Sequence, residues 1–225
     1  MLKIAHRGAS GIEPENTLAA FQKAIEMGVD GIELDVHLTS DGEIIVIHDD
    51  TLERTTTGSG IVGQMTLQQI RSFRCANNER IPTLSETLHL IDRQSMVNIE
   101  LKGADTTGPV VQLIEQFVAE QDWHFDLFLV SSFDWNALQH VRKMNPAIPV
   151  GVLTATDIDL AIGFAEFINA ETIHAYYHLL DAGNVAQMQR KGFEVLTWTV
   201  NEPSDIDNAR SYNIDGIITD YPNRI

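Results

Sequence analysis

Eight short runs rich in Ile, Val and Leu recur along the chain, at 2–6, 30–36, 96–102, 127–133, 149–154, 172–177, 194–200 and 215–220, with helix-like stretches between them. That alternation is the pattern of parallel strands joined by right-handed crossovers. None of the runs contains an internal proline, and eight of them is the number that closes a TIM (β/α)8 barrel. The 225 residues are long for one open sheet and close to the roughly 250 typical of such a barrel, so a single barrel domain over 1–225 is expected. The clearest helices are 16–27, 107–121, 135–143, 181–191 and 203–212, where apolar residues recur three and four apart. Gly28 and Gly192 stand where helix C-caps belong. Only Tyr221–Ile225 follow the last run, too little for a full eighth helix.

Simple alternation breaks once, at VHLTSDGEIIVIHDD, where two extended runs flank Asp41 and Gly42. That dipeptide suits a two-residue hairpin turn. With such a turn Ser40 opposes Glu43 and Asp35 opposes His48, which puts both side chains on one face unless a bulge shifts the register. The hairpin opens an insertion covering about 37–80, of which 53–80 reads as irregular. Its GSGIVG, formally a glycine-rich phosphate loop, follows the polar ERTTT rather than a strand and reads as a flexible loop.

Side chains two apart on a strand share a face, so Glu33 and Asp35 project together, as do Glu100 and Lys102. Their flanks belong to strands buried on both faces, where unpaired charge is costly, so these groups belong at the barrel mouth with partners. For any single acid a salt-bridged surface network serves as well. Three converging carboxylates repel one another unless a cation holds them, and an all-oxygen set suits a hard divalent ion, Mg²⁺ or Ca²⁺.

His6 and Arg7 end the first run and fall at the C-terminal rim, where barrel enzymes carry their sites. Alone, His6 is more often a structural histidine; with His48 at the same rim, two groups can exchange protons near neutral pH. Arg7 offers a fork for two phosphate oxygens and Lys102 a point charge, the alternative for Arg7 being a structural pair with Glu13 or Glu15. Trp198 and Phe133 could wall a ligand's carbon atoms or simply fill the core. His37, His89, His124, His140, His174 and His178 have no evident partners.

With 32 acidic and 15 basic residues the formal charge is −17, which repels nucleic acid and anionic lipid surfaces. An anionic substrate must therefore be held by a few placed cations or a metal ion. Cys75 is the only cysteine, so no internal disulfide can form, and its thiol reads as inert. The N-terminal MLKIAHRG has no apolar signal core and no stretch approaches ~18 apolar residues. A cytoplasmic protein with no membrane insertion is expected, and a homodimer stays open.

Taken in order, HRGAS, PENTLAAF, ELDVHLTSDG, IVIHDDTLERTT, IPTLSE, NIELK, SSF, WTVN and DGIITDYP resemble the glycerophosphodiester phosphodiesterase family over nearly the whole chain. The resemblance implies a TIM barrel, one divalent metal ion on Glu33, Asp35 and Glu100, and catalytic His6 and His48. It also implies Arg7 and Lys102 on the phosphate, Asn16 in support, and Trp198 as a wall for the glycerol end. The expected reaction is hydrolysis of a small glycerophosphodiester to glycerol 3-phosphate and an alcohol. One histidine would act as base on the neighbouring glycerol hydroxyl or on water, and the other as acid. Another barrel phosphoric-ester hydrolase, a lysophospholipase D or a phosphomonoesterase, is the rival enzyme. A non-catalytic phosphodiester-binding module is the rival outside enzymology, and it would have no use for two histidines at one mouth.

Overall fold

The computed structural model describes residues 1–103 and 105–225. Its elements run β1 (Leu2–His6), α1 (Leu18–Glu26), β2 (Gly31–Leu38), β3 (Ile44–Val46), α2 (Leu67–Ile70), α3 (Leu84–Ile91), β4 (Met96–Leu101), α4 (Thr107–Glu120) and β5 (Phe128–Ser132). They continue with α5 (Trp135–Met144), β6 (Val150–Thr154), α6 (Ile158–Ile168), β7 (Thr172–Tyr176), α7 (Ala182–Arg190), β8 (Glu194–Trp198), α8 (Pro203–Ser211) and β9 (Gly216–Thr219). Each of the eight runs became a barrel strand. They pair in parallel in the order β1, β2, β4, β5, β6, β7, β8, β9, and β9 pairs back onto β1, so the sheet is closed. Among the described residues β9 is followed by a 3-10 turn at Pro222–Arg224.

Two apolar layers hold the barrel. Outside it, strand residues such as Ile32, Leu34, Ile99 and Val130 pack on helix residues such as Phe21, Leu88 and Ile114. Inside it, Ile4, Leu129, Leu196 and Ile218 form a plug. Local signals set the helix starts: Thr83 and Glu86 form a capping box on α3, and Asp134, Asp157 and Asp181 cap α5, α6 and α7. Helix α6 lacks a clean apolar stripe, since Leu160 and Phe167 point to solvent while Ala161, Ile162 and Ala165 are buried. Gly28 and Gly192 have φ of +62° and +94°, the left-handed conformation that follows a helix end.

The hairpin corrects one expectation. Leu38 pairs with Ile44 and Val36 with Val46, one residue out of the register that a two-residue turn would give. The loop has a third residue: Thr39 N–H donates to Glu43 O, Gly42 N–H donates to Thr39 O, and Gly42 has φ +86°. This is a turn followed by a left-handed glycine bulge. Asp35 therefore faces Ile47, whose N–H donates to Asp35 O, and His48 lies one step past the ladder.

The stretch expected to be irregular has structure of its own. It contains α2 and 3-10 turns at Val62–Gln64 and Ala76–Asn78, and Ile61 of the glycine-rich segment bridges back to Thr51. A second small core of Ile45, Ile47, Leu52, Val62, Ile70, Cys75 and Ile81 holds it against the hairpin. Burial pushes the Cys75 thiol up to about 11, which keeps it protonated and unreactive. No described helix is long and apolar enough to cross a membrane.

Candidate active site

The loop leaving β1 turns within two residues. Arg7 and Gly8 have φ of +56° and +80°, and a Cβ on Gly8 would lie 2.7 Å from the Ala20 carbonyl carbon, so only glycine fits beneath α1. Arg7 tolerates its strained backbone because its N–H donates to Glu33 Oε2 at 2.9 Å and its carbonyl accepts from Asn16 N–H at 3.0 Å. Asn16, with φ +55°, donates from Nδ2 to Asp35 Oδ2 at 2.9 Å. The HRG and PEN segments thus clasp the two acids of β2.

Glu33, Asp35 and Glu100 are all buried, with one oxygen of each within 4.8 Å of the others. Parallel register sets Asp35 beside Glu100. Burial first, and then the negative charge of Asp35, push Glu33 up to about 8 and raise Glu100 as well. Two cations offset part of this charge. Lys102 Nζ is 2.8 Å from Glu100 Oε1 and 3.6 Å from Asp35 Oδ1, and Arg7 Nε is 3.3 Å from Asp35 Oδ2. Asp35 Oδ1 is nevertheless buried without a hydrogen bond. An all-oxygen set with an orphaned oxygen, and with pKa values raised by burial and by the charge of a neighbouring carboxylate, fits a hard divalent cation.

Both sequence-predicted histidines reach this mouth, and each turns Nδ1 to a carboxylate. His6 donates to Asp220 Oδ1 at 2.6 Å, and Asp220 also accepts from Ser10 Oγ at 2.9 Å and Asn201 Nδ2 at 2.6 Å. Burial alone would lower the His6 pKa; the Asp220 bond and the charge of Glu33 outweigh it, so the net shift is upward. Burial likewise opposes ionisation of Asp220, but its bonds hold its pKa down to about 2. His48 donates to Asp49 Oδ1 at 2.6 Å. Its pKa is lowered, by burial first, against the raising influence of Asp35 and Asp49. No described residue hydrogen-bonds Nε2 of either ring, which leaves those nitrogens for a ligand.

Sequence reasoning missed what secures His48. Arg54 donates from Nε to Asp49 Oδ2 at 2.7 Å and from Nη1 to Glu15 Oε2 at 2.7 Å, and Arg7 Nη1 donates to Glu15 Oε1 at 2.7 Å. The Arg7–Glu15 pair set out above as an alternative thus exists alongside Arg7's place in the site. His37, which had no evident partner, donates from Nε2 to the His48 carbonyl at 3.0 Å and fixes the backbone there.

These groups surround a cavity of about 190 Å³ whose walls include His6, Arg7, Glu33, His48, Glu100 and Lys102. Phe133 and Trp198 add an apolar wall, edge to face at 5.5 Å, and Trp198 Nε1 donates to His174 O at 3.0 Å. Asn16 and Asp35 stand behind the lining. The described residues thus place two imidazoles, two cations, two carboxylates with Asp35 behind them, and an apolar wall around one opening at the C-terminal ends of the strands.

Residues 6–224 match the glycerophosphoryl diester phosphodiesterase family. The chain belongs to this family. It is 38% identical to a glycerophosphodiester phosphodiesterase of Caldanaerobacter subterraneus subsp. tengcongensis, over 98% of this chain and 94% of that one. It is 38% identical to one from Bacillus altitudinis over 100% and 96%. Among solved structures it is similar to an Oleispira antarctica phosphodiesterase in complex with the product sn-glycerol-3-phosphate, with a TM-score of 0.90, 31% identity, and coverage of 99% and 94%. As a member of the glycerophosphoryl diester phosphodiesterase family, the chain is an enzyme, and its activity is that of a glycerophosphodiester phosphodiesterase.

Proposed function

We propose that this enzyme cleaves small glycerophosphodiesters to sn-glycerol 3-phosphate and an alcohol with one bound divalent cation and with His6 and His48 as proton-transfer groups. The observation that carries the reading is the pairing of two imidazoles with an all-acid triad on one cavity, each imidazole oriented through Nδ1 by a carboxylate. Glu33, Asp35 and Glu100 hold the cation, Mg²⁺ or Ca²⁺; when bound it supplies positive charge that draws electron density from the phosphate oxygens. Arg7 and Lys102 bind the remaining phosphate charge, which lets a strongly acidic protein accept an anion.

Asp220 and Asp49 fix each ring with the proton on Nδ1, so Nε2 is the atom that exchanges protons with substrate. One Nε2 takes the proton of the attacking hydroxyl: attack by water gives glycerol 3-phosphate directly, and attack by the neighbouring glycerol hydroxyl gives a cyclic phosphate that water then opens. The other gives a proton to the departing alkoxide, so no charged alcohol leaves. Asn16 holds Asp35 in place, and Trp198 with Phe133 shields the glycerol carbons from water. Residues 1–225 work as one domain in this reading, since the barrel and the insertion each contribute one histidine.

The test is release of glycerol 3-phosphate from glycerophosphocholine and glycerophosphoethanolamine by metal-stripped protein, with and without Mg²⁺ or Ca²⁺. Turnover appearing only with added cation is expected, with Glu33→Gln needing a higher cation concentration for half-activity. Equal turnover after rigorous chelation, in both wild type and Glu33→Gln, would remove the cation from the reading.

A further inference from the structure

Below the carboxylates the cavity has a floor that neither the cation nor proton transfer accounts for. Asn98, Ser131 and His174 line the same cavity as His6 and Glu33, all three are essentially inaccessible to solvent, and Asn98 Oδ1, Ser131 Oγ and His174 Nδ1 have no hydrogen-bond partner among the described residues. A buried polar atom without a partner costs about 1–3 kcal/mol, and three in one place mark a surface built to be satisfied by something else.

Register shows that they form an arc. Asn98 on β4 pairs with Glu33, and Ser131 on β5 pairs with Glu100, so the floor begins at the level of the acids. The next position round the barrel is Gly151 on β6, paired with Ser131. A Cβ there would lie 2.5 Å from His174 Nε2 and 2.6 Å from Thr172 Oγ1, so the missing side chain is what makes room for the imidazole. His174 Nε2 is engaged by Thr172 Oγ1 at 2.8 Å, which leaves Nδ1 as its free nitrogen. Burial drives the His174 pKa down to about 3, so the ring is neutral and offers one hydrogen bond rather than a charge. Beside the arc lie Leu153 and Ile218, and the barrel is closed beneath it by Ile4, Leu129 and Leu196.

The substrate's two ends differ in a way that assigns them to the cavity's two ends. The alcohol varies between diesters and must depart, which suits the open rim; the glycerol end is constant, which suits a closed recess of fixed size. We infer that Asn98, Ser131 and His174 form the subsite that recognises the two free hydroxyls of the glycerol moiety, with Leu153 and Ile218 against its carbon atoms below the wall of Trp198 and Phe133. The inference rests on the proposed placement of phosphate on Arg7 and Lys102. A site that hydrogen-bonds a hydroxyl also rejects analogues lacking it, since its own polar atoms are then left unpaired. The arc would therefore set selectivity for a glycerol phosphate over an alkyl phosphate of the same length.

Calorimetric titration of the full chain, in Mg²⁺ and in Ca²⁺, with sn-glycerol 3-phosphate and with n-propyl phosphate tests this without turnover. Wild type should prefer glycerol 3-phosphate. Ser131→Ala, which deletes one oxygen, should weaken glycerol 3-phosphate about 5- to 30-fold and leave propyl phosphate unchanged. Asn98→Leu, of similar shape, gives an independent second reading should Ser131→Ala lower the unfolding temperature. An unchanged preference in both variants, or equal weakening of both ligands, would overturn the subsite and leave the arc as a holder of buried water. The phosphate placement fails separately: Arg7→Ala should weaken both ligands alike, and if it does not, the phosphate lies elsewhere while the Ser131 ratio still reads the floor.

Discussion

The surroundings of His6 and His48 solve one problem with opposite materials. His6 sits at the end of a barrel strand, and its carboxylate partner lies 214 residues away, just past β9, where Asn201 and Ser10 also bind it. His48 comes from the insertion, its carboxylate is the next residue, and that carboxylate is braced by Arg54, an exposed residue whose other partner is Glu15. Both arrangements hold Nδ1–H, but one is set in the barrel wall and the other in a chain of ion pairs at the water boundary. The two carboxylates are similarly exposed, so the difference lies in their other partners: Asp220 is held by the neutral donors of Ser10 and Asn201, whereas Asp49 is held by exposed Arg54, and exposed ion pairs contribute about 0–1 kcal/mol and are screened by salt. The two sides should therefore respond differently to the same kind of damage.

The largest effect tests what the sides share. His6→Ala and His48→Ala should each lower kcat on glycerophosphocholine by about 10²–10⁴-fold with cation affinity retained. Near-normal turnover in one of them would end the symmetry of the pair. Next comes Asp220→Asn. Because the Asp220 carboxylate raises the His6 pKa, removing its charge must lower it. The limb of the kcat/KM profile that reports His6 should move to lower pH, with kcat reduced by about tenfold or more and thermal stability reduced as well. A limb that stays put would separate Asp220 from His6.

Asp49→Asn should also depress the histidine's proton affinity, since Asp49 raises the His48 pKa, but with a smaller loss of stability than Asp220→Asn because Asp49 has fewer buried bonds. Unfolding midpoints in the reverse order would break the contrast between the neutral donors of the wall and the exposed Arg54 brace. The smallest effect belongs to Arg54→Ala: a few-fold fall in kcat/KM at low salt that shrinks at high salt. An effect independent of ionic strength would show that Arg54 acts by packing rather than charge.

The same contrast explains what could be read in the amino-acid sequence. The eight strands and five of the helices announce themselves because their signals are periodic and local. His48–Asp49 is also local, written as the HDD triplet at 48–50, although its bracing by Arg54 and Glu15 is not. Asp220 ends the last run, which a closed barrel sets beside the first run and His6, but the sequence alone does not show that its side chain turns to the His6 ring. The hairpin register was missed by one residue because Asp41-Gly42 fits a two-residue turn as well as the three-residue loop that forms. Asn98 and Ser131 carried a usable signal. Asn98 lies two before Glu100 on one strand, so it must share that strand's inward face. His174 could not be read at all, because its place depends on the missing side chain of Gly151 on a neighbouring strand.

Closure of the sheet between β1 and β9 also bears on when the protein can become active during its synthesis. The ribosome delivers His6 first and Asp220 more than two hundred residues later, and a contact of such sequence separation forms only after a large loss of chain entropy. The His48 pair can assemble as soon as the hairpin does. A nascent chain would thus hold one oriented imidazole early and gain the second only with the final strand, which makes the onset of turnover a clock for completion of the barrel.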